Sequence, residues 1–206
     1  MREALLQTTY FGPVQWYQKL FRYDHCLIEQ YDSYQKQTYR NRCIIATANG
    51  LQSLTVPVEH TDEKMLVRDL RISDHNQWRR IHWNALQSSY SESPFFEFYK
   101  DDLRPFFEQR YEFLIDFNEA IRQKICELID IHPSVSYTES FLSPLTLHNP
   151  SLADFRLTID AKHPQPDPDF EVKPYWQVFR HKRGFLPNLS ILDLLFCKGP
   201  EAVFFL

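Results

Sequence analysis

The sequence predicts a single α/β domain spanning residues 1–206, with a mixed, mainly parallel sheet flanked by helices. Three observations predict it. The first 28 residues run from an apolar segment through a Gly-Pro turn and a helical pattern to a second apolar segment, which is the order of a parallel βαβ unit. An Asn-Gly pair between two later apolar runs adds a hairpin. Six prolines between residues 142 and 174 predict a long irregular excursion within the domain.

The βαβ unit indicates where a ligand would bind. We predict a first strand over 4–10, a helix that begins near Pro13, and a second strand over 26–28. In open parallel sheets, ligands bind beyond the carboxyl ends of the strands. Gln7 and Tyr10 lie at that end of the first strand, so both are candidate ligand-binding residues.

The connection that follows the second strand carries an unusual set of side chains. Residues 34–42 contain three cations, three side-chain amides and two aromatic rings, but no carboxylate. Connections usually rely on Gly, Pro and Asp, whereas amides, fixed cations and phenols can hold a polar or anionic ligand. The alternative is a solvated basic edge. The candidate binding residues in this segment are Lys36, Tyr39, Arg40, Asn41 and Arg42.

The remaining elements follow from turn chemistry and hydrophobic periodicity. Asn49-Gly50 predicts a type I′ turn between strands over 43–48 and 51–58. The next predicted element is a helix over 74–90, with Asp74 and Gln77 as a capping box. A helix over 114–129 and strands over 135–138 and 175–179 follow. The last element is a helix that begins with Ser190 and Asp193 as its cap and ends at Gly199. Asn188, just before that last helix, either caps it or faces the site.

His82 falls within the apolar stripe of the helix over 74–90. A histidine in such a stripe is most often a core residue with one satisfied nitrogen. The alternative is a general base with a shifted pKa. In that case Lys36 and Arg42 would form an anion clamp beside it.

Composition excludes several classes of function. The net charge of −4 does not favour nucleic acid or an anionic membrane as a partner. No apolar run approaches the roughly 20 residues of a membrane span, and the first residues lack a leader pattern. The four cysteines are widely spaced, as expected for reduced thiols of a cytoplasmic protein without a zinc site. With four glycines and no GxGxxG or P-loop, we expect no cofactor and no metal.

Three patches resemble the WbqC-like protein family, whose genes often lie among those for surface-polysaccharide synthesis. They are Tyr10-Phe11-Gly12-Pro13 with Gln15 and Lys19, the run Lys36–Arg42, and Phe185–Phe196. The middle patch matches a family pattern of Lys, any residue, Ser or Thr, an aromatic, any residue and Asn-Arg. Many relatives carry His-Gln-Pro where this chain has Leu6, Gln7 and Thr8. If that histidine is catalytic in the relatives, this chain has lost the catalytic group or works differently.

The resemblance implies a role in bacterial sugar or glycan modification. Our leading hypothesis is a cytoplasmic transferase of O-antigen or capsule-type synthesis that acts on an activated sugar or on its acyl or aminoacyl substituent. Gln7, Gln15 and Asn41 would bind sugar hydroxyls, and Tyr10, Tyr39 or Trp83 would stack on a ring. His82 would be the base. The alternatives are a non-catalytic sugar- or nucleotide-binding accessory protein of the same pathway and a structural partner whose aromatic surface is an interface. A homo-oligomer is compatible with each of these. The expected ligand is a small sugar or anion.

Overall fold

The computed structural model describes residues 2–59, 65–143 and 151–206. The strands over these ranges are β1 (Glu3–Gln7), β2 (His25–Glu29), β3 (Arg42–Thr47), β4 (Gly50–Thr55), β5 (Val135–Tyr137) and β6 (Leu152–Asp154). The α-helices are α1 (Val14–Arg22), α2 (Trp78–Tyr90), α3 (Phe96–Leu103), α4 (Leu114–Leu128), α5 (Arg180–Arg183) and α6 (Ile191–Lys198).

A parallel four-stranded sheet, flanked by helices, organises the domain and confirms the predicted α/β class. Its strand order is β5-β2-β1-β6, and β1 pairs in parallel with both β2 and β6, so that Glu3 lies opposite His25 on one side and Leu152 on the other. Consecutive residues of β1 are buried, because a parallel strand in the middle of such a sheet is covered on both faces. Its apolar run therefore lacks the alternation of a half-exposed strand.

The strand order reverses next to β1. From β1 the chain passes through α1 to β2 on one side, and it later returns to the other side of β1 as β6. In doubly wound sheets this reversal opens a crevice beyond the carboxyl ends of the two strands. The carboxyl ends of β1 and β6 are therefore the place where the fold favours a ligand.

The hairpin forms as predicted, but in a separate two-stranded sheet and with a different turn. Thr47 pairs with Gly50, so the two turn residues are Ala48 and Asn49. Gly50 has φ of +128°, whereas the residues with positive φ among the described non-glycines do not include Ala48 or Asn49. The predicted type I′ turn is therefore wrong. The Thr47 hydroxyl favours the observed turn, because it accepts from the Asn49 amide at 3.2 Å and donates to the Gly50 carbonyl at 2.9 Å.

The strand predicted over 175–179 is not present. Tyr175 and Gln177 are buried, but their polar groups are satisfied by side-chain contacts and not by a ladder. Gln177 Oε1 accepts from the Leu186 amide, and its Nε2 donates to the Leu186 carbonyl, both at 2.9 Å. Residues 175–177 thus alternate between buried and exposed side chains although no neighbouring strand pairs with them.

Two capping predictions have different outcomes. Ser190 caps α6 by accepting from the Leu192 amide at 3.3 Å. Asp193 is not its capping-box partner, because its carboxylate accepts from three other side chains. The helix predicted from Asp74 begins only at Trp78, since Asn76 and Gln77 have positive φ.

Two whole-chain features bear on function. None of the helices within the described ranges combines the length and the apolar character of a membrane span. The four cysteines are buried free thiols, and burial raises the pKa of Cys26 to about 12. A thiol with a raised pKa is a poor nucleophile.

Candidate functional site

The basic segment 34–42 folds onto the carboxyl end of β1. The amide of Tyr10 donates to the carbonyl of Tyr39 at 2.9 Å. Asn118 of α4 joins the two segments, because its Nδ2 donates to the carbonyl of Arg40 at 2.8 Å and to Thr8 Oγ1 at 3.2 Å. The cations and amides of this segment are thus brought to the strand edge where α/β sheets bind ligands.

A group of charged side chains lies at the same edge. We call it the switch-point cluster, and its members are Glu29, Asp32, Arg40, Asp154, Arg156 and Asp160. Glu29 ends β2 and Asp154 ends β6, so the carboxyl ends of these strands supply part of the group. Asp32 and Arg40 come from the connection after β2.

Arg156 links the two strand ends. Its Nε and Nη2 bind the two oxygens of Asp154 at 3.0 and 2.7 Å, and its Nη1 binds Glu29 Oε2 at 3.1 Å. The side chains of Arg156 and Glu29 are 5% and 0% exposed. Glu29 also accepts from Thr138 Oγ1 and from the amides of Tyr31 and Leu142. This part of the cluster is fully bonded, as a buried charge must be to remain ionised.

Arg40 is the second buried guanidinium group. Its Nη2 lies 2.5 Å from Asp32 Oδ2, and the Arg40 side chain is 4% exposed. Burial lowers the pKa of Arg40, the Coulomb fields of Asp32 and Asp160 oppose that shift, and Arg156 adds to it. Arg40 therefore feels both the carboxylates and the other guanidinium group of the cluster.

Where β1 ends, the side chain of Gln7 is bonded to the residue that precedes Asp160. The Nε2 of Gln7 donates to the carbonyl of Ile159, the residue before Asp160. Asp160 Oδ1 accepts from the amides of Lys162 and His163 at 2.8 and 2.6 Å. Gln7 is 1% exposed, yet its Oε1 accepts no hydrogen bond from any residue that the structure describes.

Tyr39 lies beside this pair. Burial raises the pKa of its phenol to about 12, and the negative charge of Asp160 adds to the shift. A phenol with so high a pKa stays protonated near neutral pH, so it can donate a hydrogen bond. Tyr39 is 6% exposed, which leaves little of its ring for stacking.

The other residues of the basic segment are divided between surface and scaffold. Lys36 is exposed, and no carboxylate of the described residues pairs with it. Arg42 is half-buried at the start of β3 and donates through Nε to Thr55 Oγ1 at 3.2 Å. Asn41 Nδ2 donates to the Val56 carbonyl at 2.8 Å, while its Oδ1 has no donor among the described residues.

Gln15 and Asn188 belong to a second polar group, which ties the Pro-rich segment to α1. We call it the α1 clasp, and its members are Gln15, Lys19, Asp167 and Asn188. Asn188 Oδ1 accepts from the Gln15 amide and its Nδ2 donates to Gln15 Oε1, both at 2.9 Å. Lys19 Nζ and Gln15 Nε2 each lie 2.7 Å from Asp167 Oδ2. The two side-chain amides thus bind each other, and Gln15 also binds Asp167.

Tyr10 and His82 lie in the core. The Tyr10 hydroxyl is 2.8 Å from His82 Nδ1, and the imidazole packs edge-on against Trp78 with ring centroids 5.1 Å apart. His82 is 4% exposed, and burial lowers its pKa to about 4 although a hydrogen bond that the ring donates to the backbone of Thr55 opposes the shift. This environment favours a structural role for His82, and it leaves no face of Tyr10 open to a sugar ring.

Sequence reasoning missed five members of the cluster. These are Glu29, Asp32, Asp154, Arg156 and Asp160. One signal was available, since a charged residue directly after an apolar run marks the end of a buried strand. Glu29 follows Leu27-Ile28 in this way. No periodicity marks Asp154 or Arg156, because β6 is only three residues long.

An open cleft adjoins the cluster at the ends of β2 and β5. Its volume is about 380 Å³, and it is lined by Gln30, Ile115, Asp116, Glu119, Ala120, Gln123 and Tyr137. Glu119 is already bonded to Arg122, Gln123 and Tyr137. No group of three or more His, Cys, Asp or Glu side chains within residues 2–59, 65–143 and 151–206 is arranged to hold a metal ion.

Two comparisons with known proteins found a match. The family model described as "WbqC-like protein family" matches residues 7–163, a range that holds every member of the switch-point cluster. The chain is also 28% identical over 225 residues to the uncharacterized protein Rv1507c of Mycobacterium tuberculosis, and the match covers 97% of this chain and 94% of that protein. No solved structure matches significantly. The chain belongs to the WbqC-like protein family.

Proposed function

We propose that this chain is a cytoplasmic, transferase-like protein of surface-polysaccharide synthesis that binds an activated sugar at the carboxyl edge of its parallel sheet. The observation that carries the proposal is the switch-point cluster. It combines two buried guanidinium groups and four carboxylates at the strand ends where doubly wound sheets bind ligands. At the same edge, the Gln7 amide oxygen has no donor among the described residues. Membership of the WbqC-like family supports the choice of a glycan pathway.

The fold does not need so many buried charges for its stability. Burying an ion pair costs desolvation that the attraction between the charges offsets only with good geometry, and apolar residues often stabilise a core equally well. Arg156 has that geometry and holds two strands together. Arg40, Asp160 and Gln7 keep hydrogen-bonding capacity beyond their contacts with the described residues. We assign these three to the ligand.

The remaining predicted binding residues take subsidiary roles in this proposal. Tyr39 donates its protonated hydroxyl beside Asp160. Lys36, exposed on the same segment, attracts the phosphate of an activated sugar, with Arg42 behind it in β3. His82 is left out because its ring lies in the core. Asp160 replaces it as the group that accepts a proton, since its Oδ2 is not used within the described residues.

A non-catalytic sugar- or nucleotide-binding accessory protein is the second candidate function. One observation favours it: His82, the residue predicted as a general base, is buried, and the cysteines are buried with raised pKa values. The site would then recognise a sugar without transforming it. Both candidates require a sugar ligand at the switch-point cluster, and turnover separates them.

A thermal-shift screen of nucleotide sugars tests the proposal. A ligand that binds only the folded state raises the melting temperature by mass action, so we expect a saturable increase with at least one nucleotide sugar. Arg40→Lys should reduce that increase, because lysine keeps the charge and loses the planar fork. The matched control is Arg104→Lys, which makes the same change at an exposed residue. If no sugar or nucleotide sugar shifts the melting temperature, the proposal is wrong.

Turnover then distinguishes enzyme from accessory protein. Incubation of each stabilising nucleotide sugar with candidate acyl and aminoacyl donors, followed by NMR of the sugar, should show a modified product if the chain is a transferase. Binding without any product would favour the accessory protein.

A further inference from the structure

We infer that the group recognised in the switch-point cluster is an amino group, so that the sugar is an amino sugar bound between Asp160 and Gln7. This inference rests on the proposed function, because it assumes that a sugar binds at this edge. It names the part of the sugar that enters the cluster and the atoms that receive it.

The charge of the cluster favours a cationic group over an anionic one. Arg40 and Arg156 supply two positive charges, and the four carboxylates of the cluster exceed them by two. An anion would therefore meet a net negative field at close range. An ammonium group, which carries three donors and a compact charge, would reduce the imbalance.

Donor capacity leads to the same conclusion. All three guanidinium nitrogens of Arg156 already donate hydrogen bonds to Asp154 or Glu29. The group therefore cannot also bind a phosphate or carboxylate in a two-pronged way. Arg40 Nη2 donates a hydrogen bond to Asp32. Arg40 keeps its Nε and Nη1 donors, while Asp160 Oδ2 and Gln7 Oε1 are acceptors that no donor of the described residues satisfies.

Asp160 is the carboxylate best placed to receive the amine. It is half-buried, and no cation of the described residues lies within ion-pair distance of it, whereas Asp32, Asp154 and Glu29 each have a guanidinium partner. Its Oδ1 binds two backbone amides, which fix the carboxylate and leave Oδ2 for an external donor. Charge-assisted hydrogen bonds of this kind are among the stronger ones in proteins.

Gln7 supplies a second acceptor beside it. A buried amide oxygen without a donor costs free energy, and native proteins leave few such atoms unpaired. Gln7 Nε2 is bonded to the carbonyl of Ile159, so the carboxamide is held next to the residue that precedes Asp160. An amine donating to Gln7 Oε1 and to Asp160 would satisfy both acceptors at once.

Two apolar side chains next to the cluster suit the rest of a sugar. The Arg156 guanidinium lies 5.6 Å from the centre of the Phe141 ring, and Leu157 follows Arg156 in the chain. Phe141 and Leu157 are 48% and 56% exposed. An exposed aromatic face beside fixed polar groups offers a surface for the C–H face of a sugar ring, in the manner of pockets that combine apolar walls with a few polar groups.

Calorimetric titration with three simple sugars tests the inference. We expect glucosamine to bind at least tenfold more tightly than glucose or N-acetylglucosamine, because one charge-assisted hydrogen bond is worth about 1.5–3 kcal/mol and about 1.4 kcal/mol corresponds to a factor of ten. Acetylation removes the positive charge and adds bulk, so N-acetylglucosamine should behave like glucose.

The variant Asp160→Asn isolates the carboxylate. Asparagine keeps an oxygen for the amides of Lys162 and His163, so the local turn is preserved while the charge is lost. We expect glucosamine affinity to fall about tenfold and glucose affinity to stay within twofold. Asp102→Asn, an exposed position on α3, carries the same change of charge and should leave both affinities unchanged.

The outcomes separate the inference from the proposed function. Equal affinity for glucose and glucosamine, or equal effects of Asp160→Asn and Asp102→Asn on glucosamine, would overturn the inference while a sugar-binding function stood. If none of the three sugars and no nucleotide sugar bound, the proposed function and this inference would both be overturned.

Discussion

At the scale of single residues, burial decides which titratable groups can act. His82 is enclosed by Tyr10 and Trp78, and loss of solvent lowers its pKa to about 4. Asp160 keeps part of its surface and an unused oxygen. The first environment stabilises a neutral ring within a core, whereas the second leaves a charge available to a ligand.

The buried imidazole should make stability depend on pH. Because the pKa of His82 is about 4 in the folded state and near 6.5 when unfolded, the unfolded chain binds more protons between these values. Stability is therefore full above about pH 6.5 and falls as pH drops towards 4, by about 3 kcal/mol for a shift of this size.

His82→Gln checks this dependence by urea unfolding between pH 4 and 7. Glutamine can still accept from the Tyr10 hydroxyl but does not titrate, so the variant should lose much less stability than the natural protein as pH falls. Parallel curves for the two proteins would show that His82 is not the buried neutral group described above. The variant should also keep its affinity for glucosamine, which a ligand-binding His82 would not permit.

The Arg156–Glu29 pair provides a second prediction at this scale. Removing one partner of a buried pair leaves an uncompensated charge and typically costs about 3–5 kcal/mol. We expect Arg156→Met to lose stability of that order in urea unfolding, because Glu29 is fully buried. Adding Glu29→Gln should recover most of the loss, since the amide keeps an acceptor for Thr138. If the single and double variants were equally unstable, the pair would not be the cause.

At the scale of elements, one buried carboxylate joins α6 to α2 and to the segment around Tyr175. Asp193 accepts from the hydroxyls of Tyr90 and Tyr175 at 3.0 and 2.8 Å and from Gln177 Nε2 at 2.9 Å. Burial raises the pKa of Asp193, and the three donors oppose that shift. These bonds connect α2, the segment around Tyr175 and α6 without any strand pairing.

Tyr175→Phe tests how much that network contributes. The variant removes one hydrogen bond to a buried charged group, which should lower stability by about 1.5–3 kcal/mol. Tyr111→Phe is the control, because the Tyr111 hydroxyl has no hydrogen bond to the described residues. Thermal unfolding of both variants measures the difference, and equal losses would mean that Asp193 gains little from its donors.

At the scale of the whole molecule, the Pro-rich segment is fastened to α1 by the clasp. Lys19 and Asp167 have side chains that are 0% and 3% exposed, and Lys19 Nζ also lies 4.4 Å from the centre of the Phe155 ring. The ammonium does not meet hydrogen-bond geometry within the described residues even though Asp167 is 2.7 Å away. We therefore regard this contact as an ion pair.

Lys19→Met tests the clasp. The variant leaves Asp167 buried without its cation, which should cost about 3–5 kcal/mol and should speed hydrogen exchange across the segment from Asp160 to Tyr175. Arg2→Met, which removes an exposed ion pair to Asp169 of the same segment, should have little effect on either measurement. Unchanged exchange in Lys19→Met would show that other contacts hold the segment.

How far the sequence predicted this molecule depended on the range of the interactions. The βαβ unit could be predicted because apolar runs, Pro13 and helical spacing are local signals. The link between Arg156 and Glu29 could not, since 127 residues separate the two and neither stands in a recognisable motif. The segment around Tyr175 showed the reverse error, because residues 175–179 predicted a strand that has no neighbour to pair with.

The same distinction applies to the site. Residues 34–42 were singled out because their composition is locally unusual, and the fold brings Tyr39 and Arg40 to the end of β1. Gln15 and Asn188 could not be assigned from composition, since an amide that binds a sugar and an amide that binds another amide look alike in sequence. Only their mutual hydrogen bonds separate the two cases.

The most direct test of the central claim is a crystal structure of the protein with an amino-sugar nucleotide such as UDP-glucosamine. We predict that the amino group will lie within hydrogen-bond distance of Asp160 and of Gln7 Oε1, with the sugar ring near Phe141. Binding instead in the cleft lined by Glu119 and Tyr137, or an amino group that points to solvent, would contradict the account.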